Sequence, residues 1–170
     1  MPRIRHGLSK CFYCIKNGTP KAMPGAIKID LTGTVSTYIS GTLNLPERLR
    51  NVQNIGYAGK LTVACLPSEF CRDIFGWEYT DGVLTEIYTE GEPIPFQLMY
   101  QTEGTNERYV YYECYAIKPD ISEETDTDTA SVSDNTIQIY AYYDEQGRIK
   151  ANTTLSTSKA VYDSWFGRRH

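Results

Sequence analysis

Short runs of alternating apolar and polar residues, separated by turn dipeptides, extend through most of this chain. A period of two is the pattern of β-strands with one buried and one exposed face. Asn17-Gly18, Thr32-Gly33 and Asp81-Gly82 lie between the runs and suit tight turns between antiparallel strands. The pattern predicts a mainly β fold, an antiparallel β-sandwich or barrel, with strands at residues 10–16, 26–31, 34–39, 57–66, 84–88, 95–102, 108–118, 135–143 and 150–155.

The segment of residues 54–76 predicts a half-buried strand that leads directly into a helix. In its first half, Leu61, Val63 and Cys65 alternate with polar or small residues. Gly56 and Gly59 flank an aromatic residue in the same strand, and glycine lets another backbone approach closely. These features are typical of a scaffold and contain no catalytic group.

The second half of that segment predicts one short α-helix. Ser68 follows Pro67 as an N-cap, Glu69 complements the positive helix end, and Gly76 suits the left-handed conformation that ends a helix. The apolar residues at helical spacing are expected to share one face, and they are Leu66, Phe70 and Ile74.

Composition indicates one domain and argues against sequence-specific DNA binding. The chain has 170 residues, and 17 Lys and Arg against 21 Asp and Glu give a formal charge of −4. It has no apolar run long enough to cross a bilayer, and residues 1–10 lack the apolar segment of a signal peptide. We therefore expect no membrane association and synthesis in the cytoplasm.

The five cysteines are expected to be reduced and mostly buried. Cys11 and Cys14 have the C-x-x-C spacing of zinc and redox sites, but a strand places the two thiols on opposite faces. Cys65 and Cys71 lie apart, on a strand end and a helix. We predict core packing and neither a metal nor another cofactor.

The fourteen tyrosines favour β-sheets and also suit interfaces, because the ring buries area while the hydroxyl stays hydrogen-bonded. They cluster in residues 109–115 and 140–143. The sequence leaves open whether they fill the faces of the sheet or contact a partner.

No catalytic constellation is present in the sequence, and we predict that the protein is not an enzyme. It has no nucleophile elbow, P-loop, dinucleotide fingerprint or H-E-x-x-H motif. His6 and His170 lie near the chain ends, where residues are usually mobile, so neither is a good candidate for a positioned base.

Four motifs, in this order, resemble the major tail tube proteins of long-tailed, non-contractile bacteriophages (siphoviruses). They are R-I-R-H-G-L-S-K at residues 3–10, P-G-A-I-K-I at residues 24–29, the segment of residues 54–76, and Y-D-S-W-F at residues 162–166. The resemblance spans nearly the whole chain. It implies one tail tube domain over residues 1–170, with an N-terminal arm at about 1–9, a long loop at about 40–54 and a C-terminal aromatic segment at about 160–170.

The resemblance also implies a structural virion protein that assembles into stacked, hexameric rings. The resulting tube would conduct DNA into the host without sequence-specific binding, and it would meet the tail tip, terminator and tape-measure proteins. The alternatives are a tube protein of a contractile injection system and a β-sandwich module that binds a receptor or carbohydrate. The four cysteines at positions 11, 14, 65 and 71 depart from the apolar or small residues expected for the family.

Two sets of apolar residues are candidates for subunit contacts. The loop at residues 40–54 is long and apolar for a surface loop, and in tail tube families such a loop reaches a neighbouring subunit. Its candidates are Leu43, Leu45, Leu49 and Val52; the alternative is a loop that folds back on its own domain. Tyr162, Trp165 and Phe166 either close one end of the monomer's core or dock on a neighbour.

Residues 122–134 are polar and acidic, which is typical of a flexible linker. Glu124, Asp126 and Asp128 nevertheless alternate with threonines, so a strand would place three carboxylates on one face. Repeated around a ring, that face would line a channel and repel DNA phosphates. The alternative is a solvated exterior loop.

Overall fold

A computed structural model of the chain describes residues 7–39, 50–119 and 135–170. Ten strands lie in these ranges: β1 Leu8–Ile15, β2 Lys21–Ala22, β3 Ala26–Ile39, β4 Arg50–Val63, β5 Glu78–Thr80, β6 Val83–Thr85, β7 Phe96–Thr102, β8 Arg108–Ile117, β9 Asn135–Tyr142 and β10 Lys150–Asn152. The helices are α1 Ser68–Phe75 and α2 Lys159–Asp163, and a 3-10 turn follows at Trp165–Gly167. The mainly β class predicted from the sequence is confirmed.

Eight of the strands form one antiparallel sheet. Seven follow the order β2-β1-β7-β8-β9-β4-β3, and β10 pairs with β8 beside this path. β5 and β6 form a separate hairpin, whose turn carries Asp81 at φ 54° and Gly82 at φ 77°. Although β3 and β1 lie near opposite ends of the order, they contact each other. The sheet therefore curls into a barrel-like layer.

The concave face of the curled sheet encloses the main core. Alternate residues of each strand point inward, as the period of two requires. α1 covers part of this core with Phe70 and Ile74, and Cys71 of the same helix is also buried. The fully buried apolar residues that the strands contribute to it include Leu61, Val63, Phe96, Leu98, Cys114, Ile137 and Ile139.

A second, smaller core lies on the other face of the sheet. Cys14, Met99 and Val110 come from β1, β7 and β8, and Trp165 covers them. Six consecutive residues of β7, from Phe96 to Gln101, are buried because this strand lies between the two cores.

Helix α1 matches its prediction except at its first residue. Pro67 occupies the N-cap position with no side-chain cap, and its carbonyl accepts a hydrogen bond from the Cys71 amide at 3.1 Å. Ser68 is therefore the first helical residue and not the cap. Gly76 ends the helix in the left-handed conformation, as predicted, at φ 70°.

Two strands are longer than predicted, and one helix was missed. Thr32-Gly33, expected as a turn, lies inside β3, where Gly33 pairs with Tyr57. Continuous pairing with β4 outweighs a turn preference that is only local. Residues 50–54, assigned to the long loop, belong to β4, and α2 adds a second helix to the single one expected.

β9 and β10 are two parts of one strand that runs along β8, separated by a short excursion. Tyr142 pairs with Glu113, and pairing resumes where Lys150 meets Tyr111. The excursion closes on itself: the Asp144 amide donates to the Arg148 carbonyl at 3.0 Å, and the Asp144 carboxylate accepts the Arg148 amide at 2.8 Å.

A hydrogen-bonded carboxylate joins α1 to the edge of the sheet. Asp73 Oδ2 accepts the Tyr13 hydroxyl at 2.9 Å and pairs with Lys21 Nζ at 2.6 Å, while Arg72 Nε lies 3.3 Å from Oδ1. Burial raises the pKa of Asp73, but these hydrogen bonds outweigh burial and hold the pKa below its ordinary value.

We expect Asp73→Asn to lower the free energy of unfolding by about 1–3 kcal/mol at neutral pH, because a charged hydrogen-bond acceptor is lost. The pKa of Asp73 is lower in the folded state, so its contribution is present above the unfolded-state pKa and lost as pH falls below about 4. Urea unfolding at pH 7 and pH 3 measures this. Asp81→Asn is the control, since Asn also accepts the left-handed conformation there. A pH-independent difference would contradict the assignment.

Candidate assembly surfaces

The two longest strands, β3 and β4, project beyond the rest of the sheet as a two-stranded arm. β9 pairs with β4 only from Val63 to Gly56. Beyond that point, residues 35–39 pair only with residues 50–54 among the described residues, over five registered pairs from Val35↔Asn54 to Ile39↔Arg50. At about 3.3 Å per residue these pairs give the arm a length of about 16 Å. We call residues 35–39 and 50–54 the β3–β4 arm.

Two glycines at the root of the arm allow its neighbours to pack closely, as the sequence predicted. A Cβ at Gly59 would overlap the carbonyl oxygen of Asp30 in β3, and a Cβ at Gly56 would overlap that of Ala141 in β9. Gly56 also has φ 136°, which disfavours other residues. The register also shifts between Thr34 and Val35, where the arm begins.

One of the candidate contact residues of the predicted loop lies within the arm. Val52 is in β4 and pairs with Thr37. Leu43, Leu45 and Leu49 fall in residues 40–49, outside the described residues. The arm therefore fixes where this connection leaves the sheet and returns to it.

The acidic candidates Glu124, Asp126 and Asp128 also fall outside the described residues. The segment that carries them joins neighbouring strands, since Ile117 near the end of β8 pairs with Gln138 near the start of β9. His6 and most of the proposed N-terminal arm are likewise outside, and β1 already begins at Leu8.

The C-terminal aromatics all contact the chain's own sheet. We call residues 159–170 the C-terminal strap. Trp165 is 6% exposed, and its indole nitrogen donates to the Tyr109 carbonyl at 3.4 Å. Phe166 stacks on Phe12 with ring centroids 4.7 Å apart, and the Tyr162 hydroxyl donates to the Asn106 carbonyl at 2.9 Å. This geometry matches the self-packing alternative, and a further role in subunit contact stays a prediction.

A buried arginine that the sequence reasoning missed holds the strap in place. Arg108 is 8% exposed, and its Nε donates to Gln101 Oε1 at 2.9 Å. Its guanidinium lies 3.7 Å from the centre of the Tyr162 ring and donates to the Tyr162 carbonyl. The period of β8 sets Arg108 on the same face as Val110, but no local pattern indicates its contact with Tyr162.

Hydrogen bonds hold the last residue, His170, against the sheet, whereas the sequence predicted a mobile chain end. The Gln97 side chain donates to the His170 carbonyl at 2.7 Å and accepts the His170 amide at 2.9 Å. The imidazole lies 2.8 Å from the Trp165 carbonyl oxygen. Burial lowers the pKa of His170.

Cys11 and Cys14 lie on opposite faces of β1, as the sequence predicted. Cys11 faces the main core and Cys14 the second core, so the C-x-x-C pair is divided by the sheet. Burial raises the pKa of Cys11 to about 12 and that of Cys71 to about 11, which keeps both as thiols. Cys65 is exposed.

Tyrosines occupy both faces of the sheet. Tyr100 and Tyr111 are buried in the main core. On the opposite, solvent-facing side of β8 and β9, Tyr115, Tyr140 and Tyr142 form an aromatic patch, with centroids 6.0 Å apart for Tyr115 and Tyr142 and 6.5 Å for Tyr140 and Tyr142. We call these three residues the tyrosine patch.

Trp165→Ala is expected to release the C-terminal strap and to lower the free energy of unfolding by about 3–5 kcal/mol, because it empties the second core. Thermal unfolding and limited proteolysis within residues 159–170 measure the two effects. Val161→Ala, an exposed apolar position in α2, is the matched control. Unchanged stability in Trp165→Ala would show that the aromatics act outside the monomer.

Within residues 7–39, 50–119 and 135–170, no helix is long and apolar enough to span a bilayer. The same residues contain no group of three or more His, Cys, Asp or Glu side chains arranged to hold a metal ion.

No protein-family model matches this chain, and no curated protein matches it. Among solved structures, it is similar to a chain in the cryo-EM structure of the anti-feeding prophage (AFP) baseplate, 6-fold symmetrised. The TM-score is 0.49 at 12% sequence identity, and the alignment covers 92% of this chain and 99% of that chain.

Proposed function

We propose that this chain is a structural tail protein of a bacteriophage, which assembles into stacked, hexameric rings that form a tail tube. The observation that carries the proposal is the β3–β4 arm, which projects from an antiparallel sheet whose last strand has an open edge. The motif resemblance in the sequence gives the class of assembly.

The open edge of β3 favours association with another chain. β3 has 14 residues and pairs only with β4 along its length among the described residues. At residues 35–39 of the arm, the edge of β3 away from β4 is a template for a further strand, and natural proteins usually cover such edges. If this edge meets a different surface of the next copy, the contact is heterologous and closes into rings or extends into filaments.

The expected partners follow from this assembly. Each ring would contact copies of itself above and below, and the ends of the tube would contact the tail tip, terminator and tape-measure proteins. Genomic DNA would pass without sequence-specific binding. The protein would be made in the cytoplasm of the host bacterium and reside in the virion tail, with no contact to a membrane. A tube protein of a contractile injection system is the alternative within this class.

Leu45→Asp combined with Leu49→Asp is expected to abolish ring and tube formation while the monomer unfolds at the same urea concentration as the wild type. The reason is that charges placed beyond the arm would be buried in a subunit contact without partners. Negative-stain electron microscopy over a concentration series, under reducing conditions, measures assembly. Val83→Asp, at an exposed position in the β5–β6 hairpin, is the control. Tubes formed by the Leu45/Leu49 variant would contradict a role for this segment.

Changing Glu124, Asp126 and Asp128 to Lys is expected to impair DNA delivery by tails of normal appearance, because a basic lumen would attract phosphates. Infectivity and DNA ejection from assembled particles measure the effect. A matched triple change to Asn or Gln removes charge without reversing it and should have a smaller effect. Normal delivery by the Lys variant would exclude a lumen position for these residues.

The tyrosine patch favours a second candidate from another class. Tyr142 is exposed and Tyr115 and Tyr140 are half-buried, and aromatic rings that reach the surface of a sheet can form a platform for a receptor or carbohydrate. This alternative requires a monomer or small oligomer at concentrations where a tube protein assembles. It also requires that Tyr140→Ala and Tyr142→Ala abolish ligand binding and leave the particle size unchanged.

A further inference from the structure

The β3–β4 arm and the connection between β6 and β7 lie at opposite ends of the sheet. The arm begins beyond Gly56, which pairs with Tyr142 at the end of β9. At the other end of the same two strands, Val63 pairs with Asn135. β7 begins at this second end, because β7 and β9 are both antiparallel to β8 and therefore run in the same direction. We call residues 86–95, which lead into β7, the β6–β7 connection.

Contacts with the end of β8 place the β6–β7 connection at that end of the sheet. Glu86 forms an ion pair with Lys118, the residue that follows β8. Burial and the carboxylates of Glu113 and Glu92 raise the pKa of Tyr115 to about 12, so Glu92 also lies close to the last residues of β8. The connection therefore lies over the end of β8, on the side of the molecule away from the arm.

The β6–β7 connection exposes apolar side chains beside carboxylates. Tyr88 is 82% exposed and Ile94 is 41% exposed. The Tyr88 hydroxyl donates to Glu90 Oε1 at 2.6 Å, which limits the movement of the ring. The connection contains three Glu residues and neither Lys nor Arg. Apolar and aromatic side chains with a charged rim are typical of protein interfaces, so this surface suits a partner that is apolar and carries positive charge.

The β3–β4 arm has the complementary composition. Its two strands read V-S-T-Y-I and R-N-V-Q-N, so it combines apolar residues with Arg50 and has neither Asp nor Glu. Arg50 pairs with Ile39 in the last registered pair of the arm, at the point farthest from the sheet. With a length of about 16 Å, the arm carries this cation well beyond the end of its own sheet.

We propose that the β3–β4 arm of each subunit docks on the β6–β7 connection of a subunit in the next ring, with Arg50 facing Glu90 and Glu92. This contact rests on the proposed function and names the surface that receives the arm. Copies repeated along the direction of the strands bring the arm at one end of the sheet against the connection at the other end. The contact is heterologous and extends from ring to ring along the tube. Tyr88 and Ile94 supply its apolar part.

The first test is an exchange of charges, with tube formation followed by negative-stain electron microscopy. Arg50→Glu alone, and Glu90→Lys with Glu92→Lys, should each raise the protein concentration required for tubes about tenfold or more, because like charges then face each other. All three changes together should restore assembly near the wild-type concentration. Glu78→Lys, at an exposed position in β5, is the control for charge reversal outside the contact. Unchanged assembly by the Arg50 or the Glu90/Glu92 variant, or no recovery in the combined variant when it unfolds at the wild-type urea concentration, would overturn the proposal.

The second test is disulfide trapping between Arg50→Cys and Glu90→Cys in a Cys65→Ser background, which removes the exposed native thiol. Mild oxidation of the assembled protein should give cross-linked multimers larger than one ring on a non-reducing gel, because each arm reaches into the next ring. A ladder that stops at the ring size would place the arm on a neighbour within the ring and overturn the proposal. Arg50→Cys with Thr80→Cys is the control and should stay monomeric on the gel.

The outcomes separate this contact from the function on which it rests. Tubes that show the recovery by charge exchange and the large multimers support both. Tubes without these two results overturn the arm contact and leave the tube proposal intact. A wild-type protein that forms neither rings nor tubes at any concentration, and also none when mixed with the tail-tip complex, overturns both.

Discussion

The close approach of three backbones around β4 is the constraint on which the rest of the structure depends. β4 pairs with β3 along its whole length and with β9 along its inner half. Gly59 leaves room for the Asp30 carbonyl on one side, and Gly56 leaves room for the Ala141 carbonyl on the other. With side chains at these positions the strands would separate, the inward row of Leu61 and Val63 would lose its register, and the main core would open.

The sheet has a core on each face because successive side chains of a strand point to opposite faces. β1 contributes Cys11 and Tyr13 to the main core and Phe12 and Cys14 to the second, so the strand is held from both sides. The second core depends on the C-terminal strap, whose helix α2 has no buried residue of its own. The strap is instead attached by Trp165, by the guanidinium of Arg108 and by reciprocal hydrogen bonds with Gln97. Polar contacts therefore stabilise this face of the sheet together with the apolar contacts of the second core.

The features that could be predicted from the sequence are those that short-range patterns encode. Alternation gave most strands, Gly76 gave the end of α1, and the spacing of Cys11 and Cys14 gave their opposite faces. The continuous β3 was missed because pairing with β4 carries the strand across Thr32-Gly33, which local preference alone marks as a turn. Helix α2 has five residues, too short for an amphipathic pattern, and it forms because the strap docks on the sheet.

The same limit applies to the candidate surfaces. Nothing local indicates that Arg108 stacks on Tyr162, because the two residues are far apart in sequence and meet only after folding. Nor does the sequence show that Leu155 is exposed, since a leucine near a strand end is ordinarily expected in a core. By contrast, the close backbone approach at Gly56 and Gly59 could be predicted from the sequence, because glycine is the residue that allows it.

The excursion between β9 and β10 is a place where the chain can change in length while the register of the sheet stays the same. Asp144 closes its turn by accepting the amides of Gln146, Gly147 and Arg148, and the segments on both sides pair with β8. Residues can therefore be gained or lost inside the excursion without shifting any strand pair on either side. The surface loop at this point can therefore vary in sequence and length while the barrel-like sheet stays unchanged.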